Sequence, residues 1–352
     1  MELGQAPGII GLRRKSLYTA ADERRAMRLA MRAAQGIDVD LPVIYGNRII
    51  GRTLGIGNEM YAITGLDQMI SAQTVTGQTL TQPFGKYQNN TNLTVGVWYD
   101  HFTVGPDGNT YSGAALTSRQ FDDSSAGAIN HGGNVSPLIK LVTGGFALSQ
   151  LCSGVWLLYD RVLDYESCTI NGALQTMVNS SAPQRYVAAG QPGLKIMVGL
   201  QAPLGGSANL IALAYVDQNG AAKTIPTTST LVLDSGSTTT PSTVDPTQMA
   251  VRWNTIGGAT ALALPLAAGN SGVRSITSYT TSAAVTGDLC FTLMYPLAVL
   301  PLPAAAQGGE ADWMRQTLML ARIFDGASLY WVLQAATNES SWFHGLLNFT
   351  WA

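Results

Sequence analysis

This chain is poor in charge. Asp, Glu, Lys and Arg make up 12% of its 352 residues, where a globular domain ordinarily carries about 25%. Histidine is scarce as well. His101, His131 and His344 lie far apart, and no GxSxG, HExxH or GxxxxGK[ST] pattern occurs, so hydrolase triads, zinc proteases and phosphate-binding loops have no support. Few carboxylates also argue against a glycan hydrolase, which needs two of them about 5–10 Å apart across a cleft. The three cysteines, Cys152, Cys168 and Cys290, show no CxxC, and an odd count cannot close a complete disulfide framework. Buried free thiols are the expectation. Metal and cofactor sites are not expected. The longest uncharged apolar run, Leu289 to Ala306, contains Pro296, Pro301 and Pro303. A proline in a helix interior costs about 3 kcal/mol, so the run is rejected as a membrane helix. No secretory leader is expected, because the basic cluster Arg13 to Lys15 is not followed by an apolar stretch.

The charge that is present is unevenly placed. Seven of the 20 Lys/Arg fall in residues 1–35, against Glu2, Asp22 and Glu23, while the rest of the chain is net acidic. Gly4, Pro7, Gly8 and Gly11 keep residues 1–18 irregular. Thr19 can cap a helix, Met27, Ala30, Met31 and Ala34 make an apolar stripe, and Arg24, Arg28 and Arg32 a cationic one. Gly36 is a natural stop. Residues 1–36 therefore read as an extended arm with a short amphipathic helix. Each ordered arm residue costs about 1–2 kcal/mol of chain entropy, so Ile9, Ile10, Leu12, Tyr18, Met27 and Met31 would have to be buried on a partner. Arg13, Arg14, Arg24, Arg28 and Arg32 would add charge. The arm is the main candidate site, as a clamp on another protein. Nucleic acid is the disfavoured partner, because aromatics other than Tyr18 are missing from it.

Beyond residue 40 the pattern turns to period two. Val43, Tyr45, Ile49 and Ile50 flank a Gly46–Asn47 turn. Asn92 to His101 alternates, with Leu93, Val95, Val97 and Tyr99 on one face. Residues 112–137 read as a long Gly/Ser/Asn surface loop, and 234–246 as an exposed loop or hinge. Strands are expected at Val155 to Val162, Lys195 to Leu200, Leu210 to Val216, Ala222 to Ile225, Ala259 to Leu266, Gly272 to Tyr279, Leu289 to Met294, Ser328 to Gln334 and Trp342 to Trp351. Asp312 to Phe324 has helical character. The fold class is all-β: a β-sandwich or jelly-roll-like body with an N-terminal arm. Its segments are 1–36, 37–150, 151–306 and 307–352.

Three smaller groups invite a role. Asp122–Asp123 is either part of a Ca²⁺ site or a solvated turn, and too few carboxylates surround it for the former. Asp160, Arg161 and Asp164 make either a structural ion pair or a contact between subunits. Trp342, Phe343 and Trp351 are either a host-surface or carbohydrate platform or the core of closing strands.

Several stretches resemble structural proteins of tailed bacteriophages. These are WLLYDRVLDYESCTI (Trp156 to Ile170), GLKIMVGLQAPLGGSANLIALAYVDQNGAAKT (Gly193 to Thr224), LPLAAGNSGVRSITSYT (Leu264 to Thr280), GDLCFTLMYPLAVLPLP (Gly287 to Pro303) and RIFDGASLYWVLQ (Arg322 to Gln334). The resemblance covers about residues 150–350, and its motifs are strands and turns. Asn270 stands where the pattern often has Asp. The resemblance implies a non-enzymatic virion component, made in the host cytoplasm, that decorates or cements the capsid. Its partners would be the major capsid protein and copies of itself, as a trimer. A tail, baseplate or receptor-binding protein is the alternative.

Overall fold

The computed structural model describes residues 44–45, 48–49, 77–87, 93, 95–96, 98–103, 108–187, 193–202, 208–225, 231–233, 253–254, 260–313, 321–337 and 342–351. The chain divides into two compact units, Met1–Ile70 and Ser71–Ala352. In the first, the described part is a hairpin of β1 (Ile44–Tyr45) and β2 (Arg48–Ile49), whose register leaves Gly46–Asn47 as the connecting pair.

The second unit is built of antiparallel strands. In chain order they are β3 (Thr79–Tyr87), β4 (Trp98–Asp100), β5 (Ser118–Gln120), β6 (Lys140–Ser149), β7 (Gly154–Asn171), β8 (Gln175–Thr176) and β9 (Lys195–Leu200). Next come β10 (Ala208–Asp217), β11 (Ala222–Thr224), β12 (Leu231–Leu233), β13 (Trp253–Asn254), β14 (Thr260–Ala261) and β15 (Val273–Thr281). The last are β16 (Ala284–Leu302), β17 (Gly308–Asp312), β18 (Arg322–Ile323), β19 (Leu329–Ala335) and β20 (Trp342–Trp351). The all-β expectation is met.

A central sheet runs β4-β19-β7-β16-β9, with β5 also paired to β7. A first flanking sheet runs β17-β6-β20-β3, with β18 on β6, and a second runs β11-β10-β15-β8, with β12 on β10. Strands β7 and β16 are 18 and 19 residues long, and their two halves serve different neighbours. At the start of β7, Trp156 stacks on Phe343 of β20, ring centroids 3.5 Å apart, and Phe84 of β3 closes the cluster. Toward its end, the Tyr165 hydroxyl accepts from Ile276 N of β15 at 3.1 Å, while Tyr279 Oη donates to Thr169 O at 2.6 Å. One pair of long strands thus carries two sandwiches.

Bulges adapt the strand to that double duty. The ladder to β16 skips Val162, and again shifts between Tyr165 and Cys168, where Ser167 takes φ 50°. A bulge re-aims side chains and sharpens the local twist. Two of the three prolines of the Leu289 to Ala306 run, Pro296 and Pro301, sit in a strand, and Pro303 follows its end. Pro296 and Pro301 fall past Met294, where pairing to β9 has ended, so one side of β16 has no ladder from β9 for them to interrupt.

Some local expectations need correction, and others lie outside the described residues. Asn92 to His101 is not one strand: β4 is three residues, Gly96 turns at φ 81°, and Val95 is 58% exposed, so a turn overrides the alternation. Ala259 to Leu266 yields the two-residue β14. The 112–137 segment is irregular but not all surface, since it contributes β5 and buries Phe121, Ile129 and His131. The helical character expected for Asp312 to Phe324 is not found at its described ends, where β17 closes at Asp312 and β18 takes Arg322–Ile323, because both ends pair with β6. The arm and helix expected for residues 1–36, the 234–246 segment and residues 314–320 lie outside the described residues.

Candidate functional site

The densest cluster of reactive side chains lies where the two sandwiches meet. Arg161 is fully buried. Its Nη1 donates to Asp100 Oδ2 at 2.7 Å and to the Tyr159 hydroxyl at 3.1 Å, and its Nε donates to Asp164 Oδ2 at 2.8 Å. Tyr159 Oη donates to Asp100 Oδ1 at 2.5 Å, and the guanidinium lies 3.7 Å from the Phe102 ring centroid. Alternation along β7 turns Asp160 the other way. There it accepts from Arg185 Nε and Nη2, both at 2.8 Å, and from Ser328 N at 2.9 Å. Next along, Glu166 pairs with Arg119 at 3.0 Å and accepts from Gly113 N.

This knot has the residue types of an active site but no access for a substrate: Asp160, Arg161 and Asp164 are all at 0% exposure. Burial pushes the Asp164 carboxyl up to about 6 in spite of Arg161. Charges buried in this way persist because breaking a pair strands its partner in a low dielectric. Of the two readings of Asp160, Arg161 and Asp164, the internal ion pair is the one found. The three thiols are free and buried, and burial raises each of them, Cys152 to about 11, which removes the nucleophilic thiolate.

A second buried cation fastens the 127–137 segment. Lys140 Nζ donates to the carbonyls of His131 and Gly133, each at 2.8 Å, to that of Gly132, and to His131 Nδ1 at 3.0 Å. His131 Nε2 in turn donates to Ala327 O at 3.0 Å. Desolvation brings Lys140 down to about 8, with Asp325 and Asp123 opposing, and brings His131 down to about 4, aided by Lys140. His101, buried against the edge of Trp156, is lowered to about 3 by burial and then Lys86. A histidine held neutral so far below its usual value is a packing group.

The remaining candidates for small-ligand chemistry are thin. A cleft lined by Ser136, Arg185, Phe324 and Asp325 holds about 200 Å³, below the roughly 300 Å³ where ligand pockets begin. Among the described residues no group of three His, Cys, Asp or Glu is placed to hold a metal ion. Asp122 is the turn reading: its Oδ1 accepts from Ser124 N at 3.0 Å and Ser124 Oγ at 2.6 Å. No helix of the described residues is long and apolar enough to cross a membrane.

What the second unit offers a partner is a surface. Along β20, Phe343 and Leu347 point inward, while Trp342, His344, Leu346 and Asn348 point out. On β6 the outward residue is Phe146, paired directly with Leu346. The row continues to Pro83 on β3 and to Glu310 on β17. Phe146 and Leu346 are 44% and 41% exposed. The Phe146 ring lies over Gly308, where a Cβ would come within 2.6 Å of it. Thr81 Oγ1 donates across the strands to Asn348 Oδ1 at 3.0 Å. At the sheet edge, Pro83 removes a donor from β3, and Gln82 Nε2 covers the Pro83 carbonyl at 2.9 Å, which blunts the edge against strand addition.

The sequence-expected site residues fare differently. Ile9, Ile10, Leu12, Arg13, Arg14, Tyr18, Arg24, Met27, Arg28, Met31 and Arg32 all lie outside the described residues. The Trp342, Phe343 and Trp351 platform does not form. Phe343 is in the core, Trp342 points to the opposite face, and Trp351 lies beneath the Lys140 ammonium, 5.3 Å away. Phe146 and Leu346 were not anticipated. Strand period alone, applied to β20, would have separated Leu346 from Leu347. No family model, curated protein or solved structure matches this chain.

Proposed function

We propose that this protein is a non-enzymatic structural component of a bacteriophage virion, one that decorates or cements the capsid shell. The reading starts from the sequence resemblance over residues 150–350. The observation that favours it is where the few charges lie. Lys86, Asp100, Lys140, Asp160, Arg161, Asp164, Glu166, Arg185 and Asp217 are all buried. A chain already poor in charge thus uses nine of its ionic side chains internally and leaves outside a sheet face whose central pair, Phe146 and Leu346, is apolar. Such a surface suits permanent coverage by neighbours better than free diffusion. The partners in this reading are the major capsid protein and copies of the chain itself. Residues 1–36 act as the clamp on the shell, held by their apolar side chains and helped by the arginines.

Counting copies tests it. Quantitative mass spectrometry of purified particles should find the chain in hundreds of copies. A dozen or fewer gives it to the tail or baseplate, and none ends the virion reading. Removing residues 1–36 should weaken binding to particles that lack the protein, and undiminished binding would remove the arm from the account.

A further inference from the structure

We propose that the outward face of the β17-β6-β20-β3 sheet binds the same face of a second copy of this chain. The pairing is about a two-fold axis that runs parallel to the strands, between β6 and β20. The register selects this axis. Glu310, Phe146, Leu346 and Pro83 form one row across the four strands. Rotation about that axis lays the row over itself in reverse. Phe146 then meets the partner subunit's Leu346, and Leu346 meets the partner's Phe146. An isologous contact needs this self-complementarity.

Charge separates this arrangement from the other two-fold stacking. With the axis across the strands, β17 would lie over its own copy and Glu310 would face the partner's Glu310. With the axis along the strands, Glu310 faces the partner's Pro83, and the two carboxylates sit at opposite edges of the interface. Like charges apposed across an interface oppose association, so the stacking about the strand-parallel axis is the one the face can make.

Size is sufficient. Three strands of nine or ten residues and one of five, spaced about 4.8 Å apart with about 3.3 Å per residue, cover about 500 Å² in plan. A pair of faces therefore removes about 1,000 Å² or more, which is the threshold for a specific interface. Gly308, Gly144 and Gly85 flank the bulky side chains and let two sheets approach to the usual separation of about 10 Å. The blunted β3 edge directs association to the face rather than to edge-on strand pairing.

This pairing is read from the sheet alone, so it stands or falls separately from the virion reading. The test is sedimentation of the full-length chain at micromolar concentration. The chain should be a dimer. Phe146→Asp and Leu346→Asp should each raise the dissociation constant by about 30-fold or more, with an unchanged far-UV circular dichroism spectrum. Leu174→Asp, at an exposed position outside the sheet, should leave the dimer intact. Should either aspartate variant misfold, Leu346→Ser serves the same purpose. Cysteine substitutions check the register: a short bis-maleimide should join Glu310→Cys to Pro83→Cys in a mixture and join neither efficiently to itself, because these positions lie three strand spacings apart in the row. A monomeric or trimeric native chain, or a dimer indifferent to Leu346→Asp, overturns the proposal. So does a monomer in which Leu346→Asp abolishes particle binding, which assigns the face to a shell protein. So does a monomer whose β20 outer face is protected from solvent, which assigns it to the chain's own remaining residues.

Discussion

Around Arg161 the chain places three carboxylates and two guanidinium groups out of reach of water, while on the outer side of β6 and β20 it leaves a phenylalanine, a leucine and a tryptophan exposed. A self-sufficient globular domain sorts the other way. The difference lies in what each region has to satisfy. The knot sits at the bulged middle of β7, where two sandwiches share one sheet, and directional bonds from Arg161 and Arg185 fix the irregular backbone there. The outer face has no partner within its own sheet to bury it, and its regular ladder needs no polar reinforcement.

The comparison breaks most sharply at Arg161. Arg161→Met should cost about 3–5 kcal/mol in urea denaturation, because it leaves Asp100 and Asp164 buried without their cation. If Asp164→Leu in the same background recovers much of the loss, the cost is stranded charge rather than lost packing. Next come two adjacent leucines. Leu347→Ala removes a fully buried side chain and should cost about 2–5 kcal/mol, whereas Leu346→Ala, one residue earlier and on the other face, should change the stability of the monomer by about 0.5 kcal/mol or less. Similar losses at both sites would mean that the outer face is already covered within one chain.

The smallest effect is in pH. His101 and His131 have folded values lowered from 6.5 to about 3 and about 4. Their contribution is complete above 6.5 and is lost as pH falls, since the unfolded chain takes up protons that the folded chain refuses. Asp164, raised to about 6, and Asp160, also raised, work in the opposite direction over the same range. The clean measurement is therefore a difference. His131→Asn should narrow its stability gap from the native chain by up to about 1.4 kcal/mol per pH unit as pH falls from 6 toward 4.5. A constant gap would show that His131 is protonated in the fold.

Legibility varied by strand, and the variation has a cause. Lys195 to Leu200 and Trp342 to Trp351 coincide with β9 and β20, since both are bounded runs rich in β-branched or aromatic residues. The sheet that carries the candidate surface was otherwise hidden. β3 contains Pro83 and Gly85, β6 contains Gly144–Gly145, and β17 begins Gly308–Gly309. All are residues that disfavour strands, and they are tolerated because β3 is an edge and because the glycines allow Phe146 and Trp313 to lie against the backbone. Val155 to Val162 was readable as a strand, but its continuation to Asn171 was not, because the bulges at Val162 and near Ser167 scramble the period.

By itself the sequence determined the material: a charge-poor, turn-rich, all-β chain without disulfides, with its free thiols inside and a basic segment at its start. Tertiary structure decided which charges vanish from the surface and which apolar residues remain on it. Those outcomes depend on cross-strand register between residues as distant as Phe146 and Leu346, or Asp100 and Arg161. Local propensity carries no information about such pairs, because their free energy exists only once the sheets have been brought together.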